Sequence, residues 1–191
     1  MKLFRVFIAA VLCLAAVRSV AFDDVTEEKT EIRTMAQKNL QRLYRAQPAA
    51  QSAVQNAAGY AVFSNTGIKI LFAGSGKGEG IAVNNATKAE TFMKMLELQG
   101  GLGFGVKKFS VIFVFDNEKV LNDFINSGWE FGGQASAAAK TEEKGGSMEG
   151  AATVSPGIHM YQMTDKGLAA EITLKGTKYY KDDDLNKPKA S

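Results

Sequence analysis

The spacing of apolar residues changes along this chain, and each change predicts a different element. Val6 to Val17 is an unbroken apolar run, preceded by Lys2 and Arg5 and followed by Arg18. It is too short to span a bilayer as a mature helix. Ser19-Val20-Ala21 places small residues just before Phe22. Residues 1–21 therefore read as a signal peptide removed after Ala21, and the protein as exported, to the periplasm or beyond the cell. Leu12 stands where a lipoprotein signal needs a small residue, so Cys13 is not expected to carry a lipid. Further on, Ile32, Ala36, Leu40 and Leu43 recur at helical spacing with Met35 beside them. Lys29, Arg33, Lys38, Arg42 and Arg45 lie among the polar positions of this helix, Pro48 ends it, and a second short helix is predicted over 49–57. A basic amphipathic helix can lie on an anionic membrane. The lack of a large aromatic between Ile32 and Tyr44 favours packing of the stripe on the domain instead.

From Gly59 the pattern shortens to β-like runs. Segments 59–64 and 68–73 flank Asn65-Thr66-Gly67, which predicts a hairpin turn there. A strand over 80–83 stops at Asn84-Asn85. Thr87-Lys88-Ala89-Glu90 has the spacing of a capping box and predicts a helix with Phe92, Met93 and Leu96 on its apolar face, ended by Gly100-Gly101. Phe109 to Phe115 is apolar apart from Ser110 and reads as a central strand buried on both faces. Asp116 or Asn117 caps the next predicted helix, whose face is Val120, Leu121, Phe124 and Ile125 and whose end is Asn126-Ser127-Gly128. Strands are predicted over 129–138, 151–154, 158–163 and 169–174. A polar loop is expected at 141–148, and turns at Ser155-Pro156-Gly157 and Asp165-Lys166-Gly167.

The expected fold is α+β: a mostly antiparallel, barrel-like curled sheet with an N-terminal helical segment and two further short helices. The chain divides into the signal peptide at 1–21, a helical segment at 22–58, a β-rich domain at 59–181 and a solvated tail at 182–191. Within the β-rich part, Gly74, Gly76, Gly78 and Gly80 alternate, as do Gly101, Gly103 and Gly105. On a strand each set lies on one face. Neither set has the spacing of a phosphate loop or a dinucleotide fingerprint. A bare strand face instead admits a bulky group close to the backbone, or lets a sheet bend. An internal partner such as Trp129 or Phe131 is favoured over a ligand, so these glycines are read as structural.

Charge and chemistry narrow the function classes. The formal net charge is +3, and the signal peptide carries Lys2, Arg5 and Arg18 with no acid, so the mature chain is neutral. A neutral domain lacks the basic face that nucleic acid requires. Cys13 is the only cysteine, so the mature chain has neither disulfide nor thiol nucleophile. His159 is the only histidine, and in its predicted strand it reads as structural. No metal motif, serine elbow or calcium-loop spacing occurs: Ser75 lacks the flanking glycines, Glu142-Glu143 falls in a loop, and Asp182-Asp183-Asp184 reads as a solvated run. The expectation is a non-enzyme without cofactor or metal.

Several stretches together resemble the SYLF domain, a family of lipid-binding and, in its yeast members, actin-binding proteins. They run in order over roughly Ala36 to Tyr180: Ala57-Ala58-Gly59-Tyr60-Ala61-Val62-Phe63 after a proline and a short helix, then Gly74-Ser75-Gly76-Lys77-Gly78-Glu79-Gly80. Gly101-Leu102-Gly103-Phe104-Gly105 follows before the apolar strand, and Tyr161-Gln162-Met163-Thr164-Asp165-Lys166-Gly167-Leu168 closes the set. The family's tryptophan-proline element and a later Gly-Pro segment are missing, and Lys140-Thr141-Glu142-Glu143 stands in place of the latter. The chain is similar to a bacterial, secreted branch.

The resemblance implies a phospholipid or membrane surface as partner, with a protein partner possible and actin-type binding not automatically carried over. In eukaryotic members a basic amphipathic N-terminal segment is associated with phosphoinositide binding, a part Arg33, Lys38, Arg42 and Arg45 could play here. Beside the glycine-rich strands, Lys77, Lys107 and Lys108 are the candidate lipid contacts. Lys107 and Lys108 point to opposite faces of a strand. The leading reading is a secreted, non-enzymatic lipid- or membrane-binding domain. Its rivals are a protein-interaction module and an envelope enzyme of unknown type.

Overall fold

The apolar run at 109–115 lies in β4, a strand paired on both sides. A computed structural model of the chain describes the backbone of residues 2–70, 73–100, 105–131, 149–169 and 176–187, and the side chains of 24–65, 75–97, 108–130, 149–169 and 176–187. The helices are α1 (Lys2–Ala46), α2 (Ala49–Asn56) and α3 (Glu118–Ser127). The strands are β1 (Gly59–Ile70), β2 (Ala73–Asn84), β3 (Glu90–Gly100), β4 (Gly105–Phe115), β5 (Trp129–Phe131), β6 (Ala152–Ser155), β7 (Ile158–Thr164), β8 (Gly167–Leu168) and β9 (Thr177–Lys181). Their order is β5-β9-β3-β2-β1-β4-β7-β6, with β8 on β7. All pairings among the described residues are antiparallel. The fold is α+β, a curled half-barrel sheet with helices.

The curl can be measured from its side chains. β4 and β9 are four strand spacings apart in the sheet, about 19 Å if it were flat. Yet the Phe113 and Tyr179 rings lie 4.9 Å apart, and Phe63 of β1 lies 4.7 Å from Tyr179. The sheet therefore bends round on itself. Midway between β4 and β9 is β2, whose inner face carries Gly76, Gly78 and Gly80. A Cβ on Gly80 would run into the Phe63 ring, and one on Gly78 would stand 2.5 Å from the Ser64 carbonyl oxygen. The alternating glycines let the strands and rings close in across this bend. Leu121 and Phe124 of α3 fill the remaining inner space beside Phe113, Phe115 and Trp129. On the outer face, Ile32, Ala36, Leu40 and Leu43 of α1, with Ala50 and Val54 of α2, cover Val62, Ile81, Ile112 and Val114. The apolar stripe of α1 thus packs on the domain, and Pro48 separates the two helices.

The α3 segment follows its sequence signals. Asn117 Oδ1 accepts from the Val120 amide, and Gly128 closes the helix at φ 71°. Phe109 to Phe115 are all buried.

Elsewhere the structure corrects the expectations. The segment from Thr87 is not a helix. Asn84 Oδ1 accepts from the amides of Ala86 and Thr87, Thr87 Oγ1 accepts from the Ala89 amide, and Lys88 takes a left-handed φ of 59°. These make a tight turn into β3, which pairs with β2 and β9 along its length, so sheet pairing overrides the capping-box spacing. Asn65-Thr66-Gly67 is not a turn either: β1 runs through it, with Asn65 opposite Gly78 and Phe109. The solvated tail is also overturned over 182–187. Asp182 and Leu185 are buried, Asp182 is paired with Lys94 at 2.8 Å, and the Asn186 side chain bonds the backbone of Phe92 in both directions.

Residues 132–148, 170–175 and 188–191 lie outside the described residues, and with them most of the predicted 129–138 and 169–174 strands, the 141–148 loop and the tail's end. Gly101 and Gly103 also lie outside. Only the backbone is described at Gly74, Gly105, Lys107 and residues 2–23, the last of which include the cleavage point after Ala21.

Candidate functional site

The site grows out of how α1 is held. Its apolar stripe buries Ile32, Ala36, Leu40 and Leu43, while Asn39, also buried, turns towards β4. Asn39 Oδ1 accepts from Ser110 Oγ at 2.9 Å and from Arg42 Nη1 at 3.3 Å. Arg42 Nη2 donates to the Thr164 carbonyl at 2.8 Å, which pins the helix to the end of β7. At the other margin Arg33 pairs with Glu90 at 2.8 Å, and the Arg33 and Lys29 cations lie 5.1 and 5.5 Å from the centre of the Phe92 ring. Ser110, the lone polar residue of the apolar strand, was the visible trace of this arrangement. Its partner Asn39 had no distinguishing signal in a helix full of polar residues.

A single helix cannot cover a sheet face of this width, and a groove opens along each side of α1. The first, of about 560 Å³, lies over β4 and β7. It is lined by the cations Lys38, Arg42 and Lys108, by Thr34 and Ser110, and by apolar Met35, Phe109 and Met163, with Glu31 and Asp165 its acids. The second, of about 650 Å³, lies over β2 and β3. There Lys77 and Lys94 face Glu31 and Glu79, so the charges balance. Lys94 is already engaged: its hydrogen bond to Asp182 raises its pKa and keeps it charged.

The candidate cations are therefore dispersed. Lys108 and Arg42 meet in the first groove, joined by Lys38. Lys77 lines the second, on the other side of the helix. Arg45 is exposed on α1 and lines neither groove, and the Lys107 side chain lies outside the described residues. Lys107 and Lys108 are consecutive in β4, so their register places them on opposite faces.

His159 is locked rather than poised. Its Nε2 lies 3.0 Å from Asp116 Oδ1 and its Nδ1 3.1 Å from Thr153 Oγ1, so both ring nitrogens are engaged. These contacts tie β6 and β7 to the residue ahead of α3. Among the described residues, no group of three His, Cys, Asp or Glu side chains could hold a metal.

A family model described as Ysc84, Las17-binding protein actin regulator, matches residues 96–188. That part of the chain belongs to the Ysc84, or SYLF, family. The SYLF match takes in the end of β3, all of β4 to β9 and α3, and so includes Ser110, Lys108 and Thr164 but not α1. The glycine-rich motifs at 57–63 and 74–80 lie outside it. Beta cell expansion factor A of Aeromonas veronii is 33% identical over 159 residues, 83% of this chain. The match spans 59% of that relative's own length.

Proposed function

We propose that this chain is an exported, non-enzymatic module that binds anionic phospholipid through the groove between α1 and the β4–β7 edge. The observation that carries the reading is the convergence of Lys38, Arg42 and Lys108 on one apolar-floored groove. Met35 and Met163 offer surface for the upper part of an acyl chain, and the cations suit a phosphate. Membership of the SYLF family supports a domain of the lipid- or actin-binding type. Export rests on the signal-peptide pattern of residues 1–21.

Each cation at an anionic surface contributes about 1 kcal/mol, screened by salt. Reversing Lys38 and Lys108 to Glu should weaken binding to phosphatidylglycerol vesicles about 30-fold or more at low salt, while Lys77→Glu changes it little. Co-sedimentation measures this. Equal binding by the double variant and wild type sinks the groove, and failure of the wild type to sediment with anionic vesicles sinks the lipid reading.

The family description favours one alternative, a protein-interaction module of the actin-regulator type. Co-sedimentation with actin filaments in the absence of lipid, unaffected by the groove substitutions, would establish it in place of the lipid reading.

A further inference from the structure

The cations of the first groove come from both of the elements that meet there. Lys38 and Arg42 belong to α1, and Lys108 belongs to β4. One buried contact fixes their relative placement. Asn39, which is 6% exposed, accepts from Ser110 Oγ at 2.9 Å and so sets one point of the helix on one point of the strand. Lys38 precedes Asn39, and Arg42 follows it by about 4.5 Å along the helix axis. Lys108 is two residues from Ser110 in β4, hence on the same face and about 7 Å away. The three cationic side chains therefore enter one groove from the helix and from the sheet. They outnumber Glu31 and Asp165, the acids that line it.

Arg42 differs from the two lysines. Lys38 and Lys108 are exposed, whereas Arg42 is half-buried and its guanidinium is held. Its Nη1 donates to Asn39 Oδ1 at 3.3 Å and its Nη2 to the Thr164 carbonyl oxygen at 2.8 Å. Those bonds use two of the five N–H donors of a guanidinium, and the group also lines the groove. A planar fork held in this way is matched to a pair of phosphate oxygens, while a lysine ammonium acts as a point charge.

A phosphate in this groove touches helix and sheet at once. Lifting α1 would carry Lys38 and Arg42 away from Lys108. An anion held by all three therefore binds the closed cover better than the open one. A ligand with higher affinity for one of two states draws the population to that state.

We propose that a phosphate group bound between Arg42, Lys38 and Lys108 is a clasp that locks α1 onto the sheet. With a lipid headgroup as its source the clasp rests on the lipid reading, and with free phosphate it does not. Arg42 orients the group, and Lys108 is its hold on the sheet. Binding at a membrane thus fastens the amphipathic helix to its own domain and does not release the apolar stripe into the bilayer.

Hydrogen exchange over 32–43 in the full chain tests this at constant ionic strength. Sodium chloride alone is compared with sodium phosphate and with sodium chloride plus phosphatidylglycerol vesicles. Exchange should slow as the anion is added, by about tenfold near ten times its dissociation constant. Lys108→Gln should remove most of the slowing, and so should Arg42→Lys, which keeps the charge but not the fork. Each variant is compared with itself, with and without anion, so a helix that is merely looser throughout does not mimic the result. Slowing by phosphate with no effect of vesicles makes free phosphate the source and takes the groove out of the lipid reading. Slowing by vesicles alone makes a lipid headgroup the source. Faster exchange with either anion, slowing that persists in Lys108→Gln, or no slowing by either anion overturns the proposal.

Discussion

On its inner face the sheet closes over α3 and its own aromatic rings, whereas its outer face is covered by two helices that do not reach its margins. The inner closure is a continuous ring cluster: Phe124 lies 4.9 Å from Phe115, 5.3 Å from Phe113 and 5.9 Å from Tyr179. The outer closure relies on one apolar stripe, held at its edges by Asn39, Arg42 and Arg33. The partly exposed Arg33 and Arg42 anchors mark the margins where this cover opens locally most readily. The inner face thus sets the stability of the domain, and the outer face, with its grooves, is where a surface partner can be met.

The sharpest way to break this contrast is to fill the bare strand. Gly80→Val would drive methyl groups into the Phe63 ring, with the Val62 carbonyl oxygen 2.5 Å from the new Cβ and unable to retreat. The expected loss is about 3 kcal/mol or more, read from urea unfolding. Gly76→Ala meets only the ends of the Asn65 and Glu97 side chains and should cost less. An equal or larger loss at Gly76 would mean that the bend at β2 is not what the glycines serve.

Next come deletions on the two faces. Phe124→Ala should cost about 3–5 kcal/mol, because it removes the ring that α3 inserts among its neighbours. Leu40→Ala should cost about 2 kcal/mol, since Leu40 sits at the margin of the α1 stripe with 9% exposure and the helix can settle. If Leu40→Ala proves the more damaging, the helix is an integral part of the core rather than a cover.

A smaller effect is expected at the helix anchor. Asn39→Ala leaves the buried Ser110 hydroxyl without its partner and should lose about 1–2 kcal/mol. Ser110→Ala in the same chain should return part of that loss. Hydrogen exchange ought to show faster opening over 32–43 with β4 unchanged. Equal acceleration in both elements would merge the two faces into one cooperative unit.

The legibility of the sequence follows the same division. The strand at 109–115 and the helix at 118–127 were visible because their signals are local: a run of apolar residues, an Asn117 cap and a Gly128 stop. The α1 stripe was visible for the same reason. Thr87 to Glu90 and Asn65 to Gly67 misled because a local pattern competed with long-range pairing, and β2 needed an edge to pair with. The buried state of Asp182 and Leu185 depends on β3 being a strand, so one error carried into the other. For the groove, the residue types were legible, but their grouping was not. Lys77 and Lys108 belong to different sides of a helix that sequence alone does not place. The Asn65–Glu97 pair, separated by 32 positions, had no signal short of the register itself.

The smallest effect concerns charge on the outer cover. Glu28 of α1 has its pKa raised above the ordinary 4.5, first by desolvation and then by Glu79 and Asp182, with Lys94 opposing. A carboxyl whose folded pKa is raised favours the native state while it is protonated. That contribution is full below the unfolded value and is lost as pH rises through the folded value, so at neutral pH the ionised Glu28 weakens the hold of α1 slightly. Glu28→Gln should therefore stabilise the protein at pH 7, and the gain should vanish below pH 4, where wild-type Glu28 is itself neutral. The group is only partly buried and is screened by solvent, so the gain is small and best read as a difference in urea midpoint at the two pH values. A loss of stability at pH 7 would reverse the sign and show that Lys94, although bound to Asp182, holds Glu28 as well. The outer cover would then be fastened by charge at both margins, and the contrast between the two faces would narrow.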